Sequence, residues 1–138
     1  MPDLICDWCS ATGQKRPEGK GEIIRCAYES IALGHASCLN DIIALTGRKP
    51  TAIHLVGGGS QSRLLCQLTA DMTSLPVVSG PVEATSLGNI AVQMTAMGVI
   101  GSLAEAREMI FDSGLTRTYT PKPDRDWQSL IKQLPTTR

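Results

Sequence analysis

Three consecutive glycines, Gly57, Gly58 and Gly59, stand between a short apolar run, AIHLVG, and an amphipathic stretch, QSRLLCQLTADMT. No other segment restricts the fold as strongly. The run at 52–57 is too short for a stable helix and is stopped by residues without Cβ atoms, so it reads as a buried strand. Leu64, Leu65, Leu68 and Met72 recur at helical spacing, so residues 61–73 read as a helix opening directly out of the glycines. A second strand, LPVVSG at 75–80, is broken by Gly80 and Pro81. Strand, helix and strand with short links imply a right-handed parallel unit. The expected fold class is α/β, helix-rich, with a short parallel sheet. Parallel strands want cover on both faces and neighbours on both edges, and two strands have neither. The chain is therefore expected to belong to a larger α/β sheet, or to complete its sheet by association.

The flanks read as follows. Residues 1–20 show no lasting period and are expected to be irregular, with one short helical turn near Asp3 to Cys9. Residues 21–46 form a long helix whose apolar stripe is Ile24, Ala27, Ile31, Cys38, Ile42 and Leu45. Gly47 is its C-cap, and Gly34 within it marks close packing. A helix over 82–97 carries Glu83 in its first turn. Ser102 caps a further helix, with Glu105 completing a capping box and Gly114 as the stop. The tail reads as loop and solvated surface, with a last short helix at 124–134.

The 138 residues are 42% hydrophobic, enough for a core, and only 4% aromatic, so that core is aliphatic. Thirteen basic residues balance thirteen acidic ones. Zero net charge argues against binding duplex nucleic acid, which calls for a basic excess. It leaves room for one small anion at a local site. No run approaches the ~18–20 apolar residues of a membrane span. The start, MPDLICDWCS, has no basic region followed by an apolar one, so no secretory signal is read and the expected location is cytoplasmic. Five cysteines cannot all pair within one chain, and reduced thiols are the default there.

The glycine turn carries the chemistry. A backbone without Cβ atoms takes up positive φ and lets a ligand come close. Free N–H groups at a helix start favour an anion or a polar ring edge, and Ser60 can cap that helix. A tight turn with no ligand at all fits the same residues. The P-loop pattern is absent, and so is GxGxxG.

Other residues admit two readings. Cys6-x-x-Cys9 and His35-x-x-Cys38 have zinc-ligand spacing, but Cys38 belongs to the helical stripe. Cys9 and Cys26 could pair if the first segment folds back on the helix start. Cys66 reads as packing and His54 as a hydrogen-bonded structural histidine inside a strand. Glu83 reads as a helix-dipole partner, and Asp71 as structural or solvated. Arg63 and Lys132 could neutralise phosphate.

The segments GEIIRCAYESIAL, LVGGGSQ, LTAD and GPVEATSLGN, in this order, resemble the C-terminal part of the rhamnulokinases, a branch of the FGGY family of carbohydrate kinases. The resemblance runs from about residue 2 to about residue 125. It implies the actin-like, ribonuclease-H-like ATPase fold, with residues 21–115 as the kinase-like segment, 1–20 before it and 116–138 as a tail. It implies ATP or ADP as cofactor, with Gly57, Gly58 and Gly59 on the adenosine side. The family usually has Asn three positions after the glycines, where this chain has the shorter Ser62. Mg²⁺ would be held mainly by phosphates and by groups outside this chain. The family's phosphate-binding hairpin, sugar-binding residues and catalytic Asp would all precede Met1, so no catalytic residue is assigned. The full enzyme would phosphorylate L-rhamnulose, in rhamnose metabolism, and the chain alone would be inactive. The implied partners are a nucleotide and either the N-terminal kinase half or a second copy, with no nucleic acid and no membrane. The alternatives are an oligomerising interaction module and, third, a small zinc-binding module.

Overall fold

A computed structural model describes residues 1–122 and 125–131. The elements in chain order are α1 (Pro2–Ala11), α2 (Gly19–Thr46), β1 (Ile53–Leu55), a 3-10 turn (Gly58–Gln61), α3 (Arg63–Thr73), β2 (Val77–Ser79), α4 (Ala84–Ala96), α5 (Leu103–Asp112), β3 (Arg117–Tyr119) and α6 (Trp127–Ile131). Residues 124 and 132–134 of the expected last helix lie outside the described residues.

The sheet has the order β1-β2-β3. β1 and β2 are parallel, with Ile53 opposite Val77 and Leu55 opposite Ser79. β3 runs antiparallel to β2, with Tyr119 opposite Val77. The short parallel sheet expected from sequence is thus a mixed one. The tail supplies a strand because an edge position asks for little hydrophobicity: Arg117 and Thr118 stay exposed and Tyr119 is half-buried.

Side chains of the sheet alternate in the way a pleat requires. Ile53, Leu55, Val77 and Tyr119 face α3, where they pack on Cys66 and Ala70. α2 lies across the other side of α3, with Ala32 and Ala36 against Leu65, Leu68 and Met72. Alanines one turn apart let the two helices approach closely. His35 Nδ1 lies 3.1 Å from the Thr69 hydroxyl and links the same two helices. Trp127 of α6 closes this cluster and is buried, so the tail is not merely solvated surface. Ala91, Ile100 and Ala106 form a separate small cluster between α4 and α5.

Several expectations about individual elements need correction. Residues 2–11 are helical rather than irregular. Pro2 sits in the first turn, where its missing N–H costs nothing, and the buried face is two cysteines too sparse to show as a period. The stripe expected to bury α2 faces outward: Ile24, Ile31, Cys38, Ile42 and Leu45 are exposed. Gly34 is exposed as well, and a Cβ there would meet nothing within 4 Å, so it marks no close packing. The cap at Gly47 is as expected: it is left-handed at φ 67° and its N–H donates to Ile43 O over 2.8 Å. The Ser102 cap of α5 is also present, but the return bond of the expected capping box goes to the residue before the cap. Ser102 Oγ accepts from Glu105 N–H, and Glu105 Oε2 accepts from Gly101 N–H at 2.7 Å.

Candidate functional site

The turn after β1 is built on Gly57, whose φ of 76° and ψ of −161° lie where only glycine is comfortable. Gly58 to Gln61 then make the 3-10 turn, and α3 starts only at Arg63. The glycines therefore do not open the helix directly, and the dipole of α3 begins beyond them. Glycine is a poor helix former, and Ser62 makes a better start. Its hydroxyl accepts from Leu65 N–H at 3.3 Å. Ser62, not Ser60, is the cap.

Ser60 has another task. It is buried, and its hydroxyl lies 2.7 Å from Gly57 O and 3.2 Å from Gly80 O, so one proton is shared between two carbonyls. Gly80 N–H in turn donates to Leu55 O over 2.6 Å. These bonds fasten the turn after β1 to the end of β2. The Cys66 thiol reaches Ser60 O at 3.5 Å from below, and burial pushes its pKa up. Cys66 is packing, as expected. The floor of the turn is fixed, while its outer side is empty. A Cβ built on Gly57 or Gly58 meets nothing within 4 Å, and one on Gly59 meets only Leu65 Cδ2, at 3.8 Å. The turn is thus a rigid, side-chain-free ledge. Ser62 stands at its far end, half-buried, with its hydroxyl hydrogen still available to a ligand acceptor.

A second feature lies on the sheet face that α3 does not cover. An open groove of about 830 Å³ runs between that face and α4–α5, lined by His54, Val78, Pro81, Gly88, Arg107 and Phe111 among others. Gly57, Gly58 and Gly59 do not line it; it meets the turn region only at Val56 and Gly80. His54 is exposed on this face, where a hydrogen-bonded structural histidine was expected. Strand alternation carried that signal, because Ile53 and Leu55 point the other way. The role of Ser60 in joining two strand ends left no trace in sequence, since its acceptor at Gly80 is twenty residues away.

The remaining candidates fall apart as sites. Glu83 is exposed at the N-cap of α4 and makes no side-chain cap bond. Arg63 is exposed, and Lys132 lies outside the described residues. Asp71 is structural: it accepts from Gln67 Nε2 at 2.8 Å and from Lys122 N–H at 2.7 Å, tying α3 to the chain after β3. Among the described residues no three His, Cys, Asp or Glu side chains come together as metal ligands, so the zinc reading has no site. Among the same residues no helix is long and apolar enough to cross a membrane.

Known proteins place this geometry. The chain is 38% identical over 125 residues to a rhamnulokinase of Klebsiella pneumoniae, covering 91% of this chain and 26% of that protein. It is 39% identical over 129 residues to a rhamnulokinase of Bacteroides thetaiotaomicron, covering 94% of this chain and 27% of that one. The chain thus spans about a quarter of the length of these relatives. Crystal structures of a gluconate kinase and of a ligand-bound xylulose kinase, both from Lactobacillus acidophilus, share its fold with a TM-score of 0.65 at 24% identity; the match covers 86% of this chain and 24% of each of theirs. The sequence model of the FGGY carbohydrate kinases' C-terminal domain matches residues 1–97. This chain belongs to the FGGY family of carbohydrate kinases, and what it holds is sequence of that family's C-terminal domain.

Proposed function

We propose that the chain supplies the adenosine-side wall of the ATP site of a rhamnulokinase-like sugar kinase. Gly57, Gly58 and Gly59 form the ledge against the nucleotide, and Ser62 offers its hydroxyl at the rim. One observation carries this reading: the turn is fixed from beneath by Ser60 yet open above Gly57 and Gly58. The relatives named rhamnulokinase support L-rhamnulose as the substrate of the assembled enzyme, in which a sugar hydroxyl would take the γ-phosphoryl group of ATP.

The chain's own residues do not fit a Mg²⁺ site, since the described residues bring no group of acidic ligands together. Phosphoryl transfer requires metal-bridged phosphates, in-line positioning and a base. The described residues supply one wall of a binding site, so the chain alone transfers no phosphoryl group. NMR titration with ADP tests the reading. The amides of Gly57 to Gly59 shift first; unchanged amides at millimolar ADP overturn it. A coupled kinase assay with ATP and L-rhamnulose shows no turnover from the pure chain, and robust turnover would refute its inactivity.

A second reading, an association module, is favoured by the outward face of α2. Ile24, Ile31, Ile42 and Leu45 are all exposed there, Leu45 to 86%. Such a patch marks a surface made to be covered, either by the rest of a kinase or by a second copy. Light scattering across a concentration series separates a monomer from a self-associating chain.

A further inference from the structure

The α4–α5 hairpin stands apart from the rest of the molecule. Its small core, Ala91, Ile100 and Ala106 with Met94 against them, shares no residue with the two clusters around α3. The hydrogen bonds of residues 83–114 close within that segment. Among the described residues no hydrogen bond or ion pair ties it to the sheet, to α2 or to α3. The hairpin also leaves and rejoins the body at one place. Ser79 and Arg117 are register partners on β2 and β3, and the Ser79 hydroxyl donates to Arg117 O over 3.1 Å. The chain departs just after Ser79 and returns just before Arg117. Gly80 is fixed, because its N–H donates to Leu55 O and its carbonyl accepts from Ser60. Residues 81–82 and 114–116 are left as two connections side by side. Gly114, at φ 73° with nothing within 4 Å of a built Cβ, has no steric neighbour to stop it turning.

We infer that α4–α5 is a hinged flap. It swings about residues 81–82 and 114–116 between the open form of this structure and a closed form in which Ile110 and Phe111 pack on Val56 and Val78. The groove of about 830 Å³ is the space the flap closes. Val56 and Val78 line it from the sheet, and Ile110 and Phe111 line it from α5. Val56 is 57% exposed and Phe111 58%, so each has more than half its surface to take out of water by meeting the other wall. Arg107, Glu108 and Asp112 line the same groove, exposed and without ion-pair partners among the described residues. Their hydration opposes complete burial. Apolar contact thus favours the closed form and charge hydration the open one, and both are populated. Hinge motions of this kind take μs to ms. This inference is independent of the nucleotide reading.

Phe111 is the chain's one phenylalanine, so its ring signals need no sorting from others. The experiment is NMR on the full chain, labelled in its amides and its valine methyls. The closed form gives nuclear Overhauser effects from the Phe111 ring to the methyls of Val56 and Val78, with upfield ring-current shifts of those methyls. Relaxation dispersion shows exchange in the amides of α4 and α5 and none in those of α3. Phe111→Ser removes the apolar contact from an exposed position. It abolishes the exchange and moves the Val78 methyls downfield, while unchanged α3 shifts report an intact fold. The wild-type ring-to-methyl effects stand whatever the variant does. Absence of any effect from the ring to either valine would overturn the inference. So would ring-to-methyl effects without exchange, which mark a groove permanently shut, or exchange that persists in folded Phe111→Ser.

Discussion

Two neighbouring glycines separate the energetics of the turn from its use. Gly57 has φ 76° and ψ −161°, but nothing within 4 Å of a built Cβ. In Gly57→Ala the added methyl clashes with no neighbour, and the whole cost is backbone strain. A side chain held in so sparse a region costs about 1–3 kcal/mol. The stiffer unfolded chain returns about 0.4–1 kcal/mol. The net loss is about 1–2 kcal/mol, or a fall in thermal midpoint of about 3–10 °C for a chain of this size. Gly58 has equal room and no positive φ. Gly58→Ala is therefore neutral or stabilising by about 0.4–1 kcal/mol. Its methyl, however, projects into the open side of the ledge, where the nucleotide is proposed to lie. Urea unfolding of the three proteins, each followed by ADP titration, gives both readouts. Gly57→Ala loses stability, while Gly58→Ala holds its midpoint and loses the ADP-induced shifts. Equal stability of Gly57→Ala and wild type would refute the strain argument. Unaltered ADP shifts in Gly58→Ala would refute the placement of the nucleotide.

Other outcomes follow from single contacts. Ser60→Ala removes the donor shared by Gly57 O and Gly80 O and costs about 1–3 kcal/mol in urea unfolding. Ser102→Ala removes the cap of α5 and costs about 1 kcal/mol, readable as a lower midpoint by circular dichroism. The Glu22 carboxyl is held below the usual carboxylate range, first by Glu18 N–H at 2.6 Å and then by Lys15. Its folded form binds a proton less readily than its unfolded form. Its contribution is therefore complete above the unfolded pKa and fades as the pH falls through the lower folded one. Glu22→Gln flattens the acid limb of the stability profile, and an unchanged limb would count against the contact.

The legible part of the fold is the part written in local chemistry. Gly47 and the Ser102–Glu105 pair announce helix ends because the residues that satisfy a helix terminus lie within a few positions of it. The strand, glycine turn and helix were readable for the same reason. The exact helix start was not, because Ser60 and Ser62 are equally good caps in sequence. Only the distant carbonyl of Gly80 decides between them, by claiming the Ser60 hydroxyl. β3 and α6 were hidden by their composition. An edge strand of Arg117, Thr118 and Tyr119 has no apolar alternation, and Trp127 announces burial only once α2 and α3 are there to receive it.

α2 shows how a correct period can name the wrong face. Ile24, Ile31, Cys38, Ile42 and Leu45 do form a stripe, and the helix they imply is present. The face that meets α3 instead holds Ala32 and Ala36, with Tyr28 and Leu33 beside them. Alanine contributes little to a hydrophobic period, yet its small size permits close helix approach. The larger residues would each gain about 1.5–3 kcal/mol from full burial, and α3 takes none of that gain. Periodicity records every surface on which a helix is selected to be covered, without saying which cover comes from its own segment. The stronger stripe on α2 finds no cover within the described residues, and the weaker alanine face is the one that holds the present fold together.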